Sequence, residues 1–170
     1  MKQTRREHLS LLGGTALAAA VPGIASAESH ASGEPKTVVV EMLNVDPDDR
    51  RARQVFKPAV VHVMPGDTIQ FVSTDRGHNS QEDEDMMPED GDIWEGRING
   101  DIEVTFTTEG AYGYYCQPHQ SVGMVGLILV GDATASLEEL KGVRQRGKAK
   151  QRYEEYFEQA DAIMAEVQSS

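Results

Sequence analysis

Between Thr37 and Val130 the chain is divided into short runs rich in Val, Ile, Thr, Phe and Tyr, and this division leaves little choice of fold. The runs are Thr37 to Leu43, Ala59 to Val63, Asp67 to Val72, Ile102 to Thr107, Gly113 to Cys116 and Gly123 to Val130. β-Branched and aromatic side chains suit a pleated, half-buried surface, so each run reads as a strand. Turn chemistry separates them: Asp46-Pro47-Asp48-Asp49, Pro65-Gly66-Asp67, Pro88 to Gly91, Asn99-Gly100-Asp101 and Thr108-Glu109-Gly110. Strands punctuated at these intervals make an antiparallel sandwich or barrel, with Greek-key connections expected. A chain of 170 residues falls within the size of one domain.

The pattern changes after Gly131. Ser136-Leu137-Glu138-Glu139 has the form of a capping box opening a short helix that Gly142 can end. Beyond it Tyr153, Tyr156, Phe157, Ala160, Ile163, Met164 and Val167 fall on one stripe of a longer helix. Such a stripe packs on a core far more often than it binds a partner. The expected fold class is mainly β, a Greek-key β-sandwich or barrel over 37–131, with a C-terminal extension of two helices over 132–170.

Ahead of the strands, Arg5 and Arg6 precede an apolar run from Leu9 to Ile24 that ends in Ala25-Ser26-Ala27. A charged start, a short apolar stretch and small residues at a cleavage site are the parts of an export leader, here 1–27, and the run is too short for a bilayer helix. Thr4-Arg5-Arg6-Glu7-His8-Leu9 resembles a twin-arginine signal, with His8 where Phe is commoner. No Cys adjoins the cleavage site, so no lipid anchor is expected. Residues 28–36 read as a flexible lead-in to a periplasmic protein. The full chain carries a formal charge of −12. Losing Lys2, Arg5, Arg6 and Glu7 with the leader removes a net two positive charges and leaves about −14, which excludes phosphate-backbone binding.

Exported proteins use disulfides, yet Cys116 is the one cysteine. It lies in Tyr115-Cys116-Gln117-Pro118-His119-Gln120-Ser121-Val122-Gly123-Met124, and a further histidine stands upstream in Gly77-His78-Asn79. Taken singly, a Cys is a small hydrophobe, a His a polar group and a Met core filler. Together a thiolate, imidazoles and a weak thioether are the donor set of a mononuclear blue-copper electron-transfer centre, soft enough for Cu(I) and acceptable to Cu(II). The single Cys also argues against a zinc ribbon or a binuclear site.

Pro65-Gly66-Asp67-Thr68, Gly77-His78-Asn79, Val104-Thr105-Phe106, Tyr112 to His119 and Gly123-Met124-Val125-Gly126 resemble the pseudoazurins, bacterial cupredoxins, over about residues 37 to 167. Plastocyanins share the ligand spacing, but the helical extension is similar to pseudoazurins. The resemblance implies one copper ion held by His78, Cys116 and His119 in the equatorial plane and Met124 on the axis. It implies supporting roles for Asn79, which steadies the thiolate, and Pro118, which precedes a His119 whose ring edge reaches solvent. It further implies a monomeric single-electron carrier and not an enzyme. The partners implied are redox proteins docking at the His119 face, such as a c-type cytochrome and a nitrite or nitrous oxide reductase.

Pseudoazurins ring that face with lysines, whereas here Gln81-Glu82-Asp83-Glu84-Asp85 follows His78 and Arg76 is the clear basic residue near the site. A partner with a basic surface is therefore expected. An alternative is a periplasmic copper-binding or delivery protein, for which Met86-Met87 is the exposed thioether candidate. His62 alternates with inward Val61 and Val63 and reads as a surface residue; Trp94 and Tyr112 read as core. Cleavage after Ala27 would place His30 third from a new amino terminus, an adventitious site for Cu(II) or Ni(II).

Overall fold

In this computed structural model residues 33–169 are described; the leader and His30 lie outside them. The strands are β1 Thr37–Val45, β2 Arg53–Lys57, β3 Val60–Val63, β4 Thr68–Val72, β5 Gln81–Glu82, β6 Ile102–Thr105, β7 Gly110–Tyr115 and β8 Val125–Val130. They form two four-stranded sheets, in the orders β2-β1-β4-β6 and β3-β8-β7-β5. The β1–β4 and β3–β8 pairs are parallel and the others antiparallel.

Period-two alternation decides which side chains meet between the sheets. Val40 and Met42 of β1, Ile69 and Phe71 of β4, Val61 and Val63 of β3, and Tyr112 and Tyr114 of β7 all turn inward and are buried. Trp94 stacks on Phe71 in this layer and donates its indole N–H to Ser80 Oγ at 3.0 Å. The continuous apolar run of β8 has a separate explanation: every residue of Val125–Val130 is buried, because both faces of the strand are covered. Ile128 and Val130 join the inter-sheet core, while Val125, Leu127 and Leu129 pack against helices on the outer face.

Those helices are α1 Thr134–Lys141 and α2 Gly147–Ser169. The stripe lies on the outer face of the second sheet, with Tyr153, Tyr156, Ala160 and Met164 buried and Phe157, Ile163 and Val167 packed at its margin. The capping box does not form. Ala133 occupies the N-cap, and Ser136 Oγ instead accepts the Ala111 N–H at 2.8 Å and donates to Ala133 O at 3.0 Å, tying the helix to β7. Asp132 Oδ1 takes the Thr134 N–H at 3.1 Å in its place. Gly142 does end α1, in ordinary right-handed geometry.

Two strands are not apparent from composition. β2 is written Arg53-Gln54-Val55-Phe56-Lys57, and only Val55 and Phe56 are buried. β5 is two residues long and exists through its pairing with β7. The Pro65-Gly66-Asp67 turn is set by Asp67, a buried carboxylate that accepts the N–H groups of Lys36 and Met64, each at 2.9 Å. Gly66, at φ 97°, supplies the left-handed residue this turn requires. His62 is half-buried rather than on the surface, with Nε2 3.1 Å from Gly131 O, while Val61 and Val63 face the core as expected.

Candidate metal centre

Two segments at one end of the sandwich converge. The link from β7 to β8 carries Cys116, a 3-10 turn Gln117–Val122 and Met124. It closes on itself: His119 N donates to Cys116 O, Cys116 N to Met124 O and Met124 N to His119 O, each at 3.0 Å. Gly123, at φ 91°, lets the turn reverse into β8. The other segment leaves β4 and carries His78. Asn99 holds it, accepting the Gly77 N–H on Oδ1 at 2.6 Å and donating its own N–H to His78 O at 2.8 Å.

The donor atoms meet. His78 Nδ1 lies 3.2 Å from His119 Nδ1 and 3.7 Å from Cys116 Sγ, and Cys116 Sγ lies 3.4 Å from His119 Nδ1. Three such atoms at about 2.0–2.3 Å from one shared ion, the nitrogen and thiolate distances known for zinc, would be about 3.5–4 Å apart. The cluster is thus sized for a single ion with little movement. His78, Cys116 and Met124 are fully buried; His119 is half-buried. Met124 stands opposite Cys116 across the strand ends and belongs to the same core layer.

The electrostatics suit a cation. Burial pushes the Cys116 thiol up, although the backbone N–H groups of Asn79 and His119 oppose the rise. Burial, and then the neighbouring His119, hold His78 below the usual imidazole value, so its ring is neutral and ready to ligate. Asn44 Oδ1, 3.1 Å from His78 Nε2, can only accept there, so it favours the tautomer with Nε2–H donating to it and the Nδ1 lone pair facing the cluster. Asn79 bridges the two segments. Its Oδ1 accepts the Gln117 N–H at 2.8 Å, and its Nδ2 donates to Gly96 O at 3.0 Å. Pro118 is exposed on the turn beside His119.

Sequence reasoning missed Asn44 and Asn99. Both are ordinary loop-type residues, distant in sequence from His78, and only pairing of the strands brings Asn44 to the ring. The surrounding charge is richer than expected. Arg76 is not the sole basic neighbour: Arg51, Arg53, Lys148 and Arg152 line a shallow cleft with His119 and Val122. Asp83 and Asp85 lie on a different flank, beside Gln120 and Ser121. The cations were overlooked because they arrive from β2 with its preceding loop and from α2, both remote from the ligand loop in sequence.

Comparison with known proteins identifies the family. The copper binding proteins of the plastocyanin/azurin family match residues 43–131. A pseudoazurin of Paracoccus pantotrophus is 37% identical over 151 residues, covering 89% of this chain and 90% of that protein. One from Methylorubrum extorquens is 38% identical over 122 residues, covering 72% and 80%. The chain belongs to the pseudoazurin family. A solved pseudoazurin structure from Sinorhizobium, 43% identical, superposes with a TM-score of 0.67 over 72% of this chain and 94% of that one. The fold is therefore the cupredoxin fold that the sequence resemblance implied. Copper is the pseudoazurin cofactor, and the cluster of His78, Cys116 and His119 is arranged to take it.

Proposed function

We propose that this chain is an exported single-electron carrier with no reaction of its own, in which His78, Cys116, His119 and Met124 would hold one copper ion. The observation that carries the reading is the convergence of two imidazole nitrogens and one thiol within 4.8 Å in a buried pocket. Bound there, copper supplies a Cu(I)/Cu(II) couple. The protein's part is to hold the donors still. Asn44 orients the His78 ring, Asn79 joins the two segments, and the mutual hydrogen bonds of the β7–β8 link fix Cys116 against Met124. Donors held this way move little when the charge changes, which favours fast transfer. Burial of His78, Cys116 and Met124 excludes water, and half-buried His119 is the donor that opens to solvent.

The leader at 1–27 supports a periplasmic location. Among the described residues no helix is long and apolar enough to cross a membrane. The delivery alternative loses its exposed thioether cluster, because Met86 is fully buried beneath Gly113. The first test is the visible spectrum with one equivalent of Cu(II). An intense thiolate-to-copper band that bleaches with ascorbate is expected; a colourless product overturns the electron-carrier reading.

The docking face on this reading is Pro118, Val122 and the His119 edge, with Arg51, Arg53 and Lys148 beside them. That local charge favours an anionic partner surface, in place of the basic one expected from the Glu82–Asp85 segment. A c-type cytochrome and a nitrite or nitrous oxide reductase remain the partner classes proposed. Oxidation of the reduced protein by hexacyanoferrate(III) should slow about tenfold in an Arg51→Glu, Lys148→Glu double variant, the low end of electrostatic steering. Glu84→Lys should leave that rate within about twofold. The reverse pattern would place the electron port on the acidic flank.

A further inference from the structure

The N-terminal turn of α2 lies directly on the ligand loop. A Cβ at Gly123 would come within 3.0 Å of Lys148 Cβ and 3.2 Å of the Lys148 carbonyl, so the absence of a side chain at 123 is what lets the helix approach this closely. One turn further along α2, Arg152 reaches back across the same cleft. Its Nη1 donates to Gly123 O at 2.5 Å and to Gln54 O at 2.6 Å, and its Nη2 donates to Arg53 O at 2.6 Å. One guanidinium thus joins α2, the start of β2 and the peptide that leads into Met124.

Each of these acceptors is a main-chain carbonyl, so what Arg152 holds is backbone placement. Gln54 shows what is being held: it sits at φ 53°, a left-handed conformation that a residue with a side chain adopts rarely, and its Oε1 is buried with no hydrogen-bond partner among the described residues. Gly123 O also accepts the Val125 N–H at 3.0 Å, and Met124 lies between these two residues. Moving the Gly123 carbonyl therefore moves the backbone from which the Met124 thioether projects.

We infer that Arg152 is a positioning residue of the copper centre: its planar fork, bound to the carbonyls of Gly123, Gln54 and Arg53, sets where Met124 stands relative to the plane of His78, Cys116 and His119. The inference rests on the proposed ligand assignment. The fork matters because lysine, a point charge with no planar pair of donors, cannot span the same carbonyls.

The test compares Arg152→Lys, Arg152→Ala and, as a charge control on the same helix, Lys150→Ala, whose side chain is exposed and faces Glu154 at 3.6 Å. Two quantities are read. One is the ratio of the yellow to the blue thiolate-to-copper band, which reports axial coordination. The other is amide exchange at Met124 and Val125 in the copper-free, reduced protein. Both Arg152 variants should change the band ratio and speed exchange by about tenfold or more, the least expected from losing one hydrogen bond to a charged group. Lys150→Ala should match the parent in both.

Parental values in Arg152→Ala, or full restoration by Arg152→Lys, overturn the inference, the latter because charge alone would then suffice. Faster exchange with an unchanged band ratio also overturns it, leaving Arg152 a strut without influence on the metal. If the alanine variant does not fold, Arg152→Lys decides. No charge-transfer band in the parent would instead overturn the ligand assignment, an outcome separable from these because exchange is read without copper.

Discussion

Cys116→Ser abolishes the intense visible band of the copper-loaded protein, and ascorbate then produces no bleaching. Cys116 is fully buried at the point where the two ligand segments meet, with Sγ 3.4 Å and 3.7 Å from the two imidazole nitrogens. A thiolate donates charge to Cu(II) and stabilises Cu(I); a serine hydroxyl is a hard, weakly acidic oxygen that does neither. The substitution is nearly isosteric and leaves the backbone bonds from Cys116 N to Met124 O and from His119 N to Cys116 O in place. Parental far-ultraviolet circular dichroism is therefore expected together with complete loss of colour. A serine variant that stays blue would remove Cys116 from the ligand set.

Phe71→Ala lowers the unfolding free energy of the copper-free protein by about 3–5 kcal/mol, the range for emptying a buried aromatic site. Phe71 is fully buried in β4, an interior strand of its sheet. It stacks on Trp94 at 5.8 Å and meets Tyr114 edge-on at 5.2 Å. Its neighbours cannot collapse into the space. Trp94 is anchored through Ser80, and Tyr114 is paired to Gly126, where the ring so fills the gap that an added Cβ would lie 2.4 Å from Cζ. Against a typical domain stability of about 5–15 kcal/mol this is a large fraction. Denaturant titration should show it as a lower midpoint at unchanged slope, and copper must be absent because a ligand bound to the native state masks the loss. A change under about 1 kcal/mol would mean that the inter-sheet core can relax around this position.

Most of the strand framework was legible because each run declares itself locally. β-Branched and aromatic residues between Pro, Gly and Asp turns need no knowledge of the partner strand, and the 3.6-residue stripe from Tyr153 to Val167 likewise names its buried face. β2 was not legible, since three of its five residues are charged or amide side chains. Its place comes from pairing with β1, where Met42 stands opposite Phe56. The capping box at Ser136 was a local signal that lost to a tertiary one: the Ala111 N–H at the edge of β7 needed an acceptor, and the hydroxyl supplied it.

The same division runs through the metal centre. Cys116, His119 and Met124 lie within nine consecutive residues, so their chemistry and spacing are properties of the sequence, and His78 is conspicuous as a histidine between Gly and Asn. The family, its cofactor and its donor types follow from the sequence alone, because donor chemistry belongs to side chains and a short loop can bring only its own residues together. The rest required the folded chain. Which nitrogen of His78 faces the cluster depends on Asn44, the charge beside His119 depends on Arg51, Arg53 and Lys148, and the carbonyl leading into Met124 is held by Arg152. These groups lie tens of residues from the donors they influence, and their effects are short-ranged hydrogen bonds and local fields. Such effects exist only after the sheets have paired and α2 has docked, which is why the tertiary structure decides them.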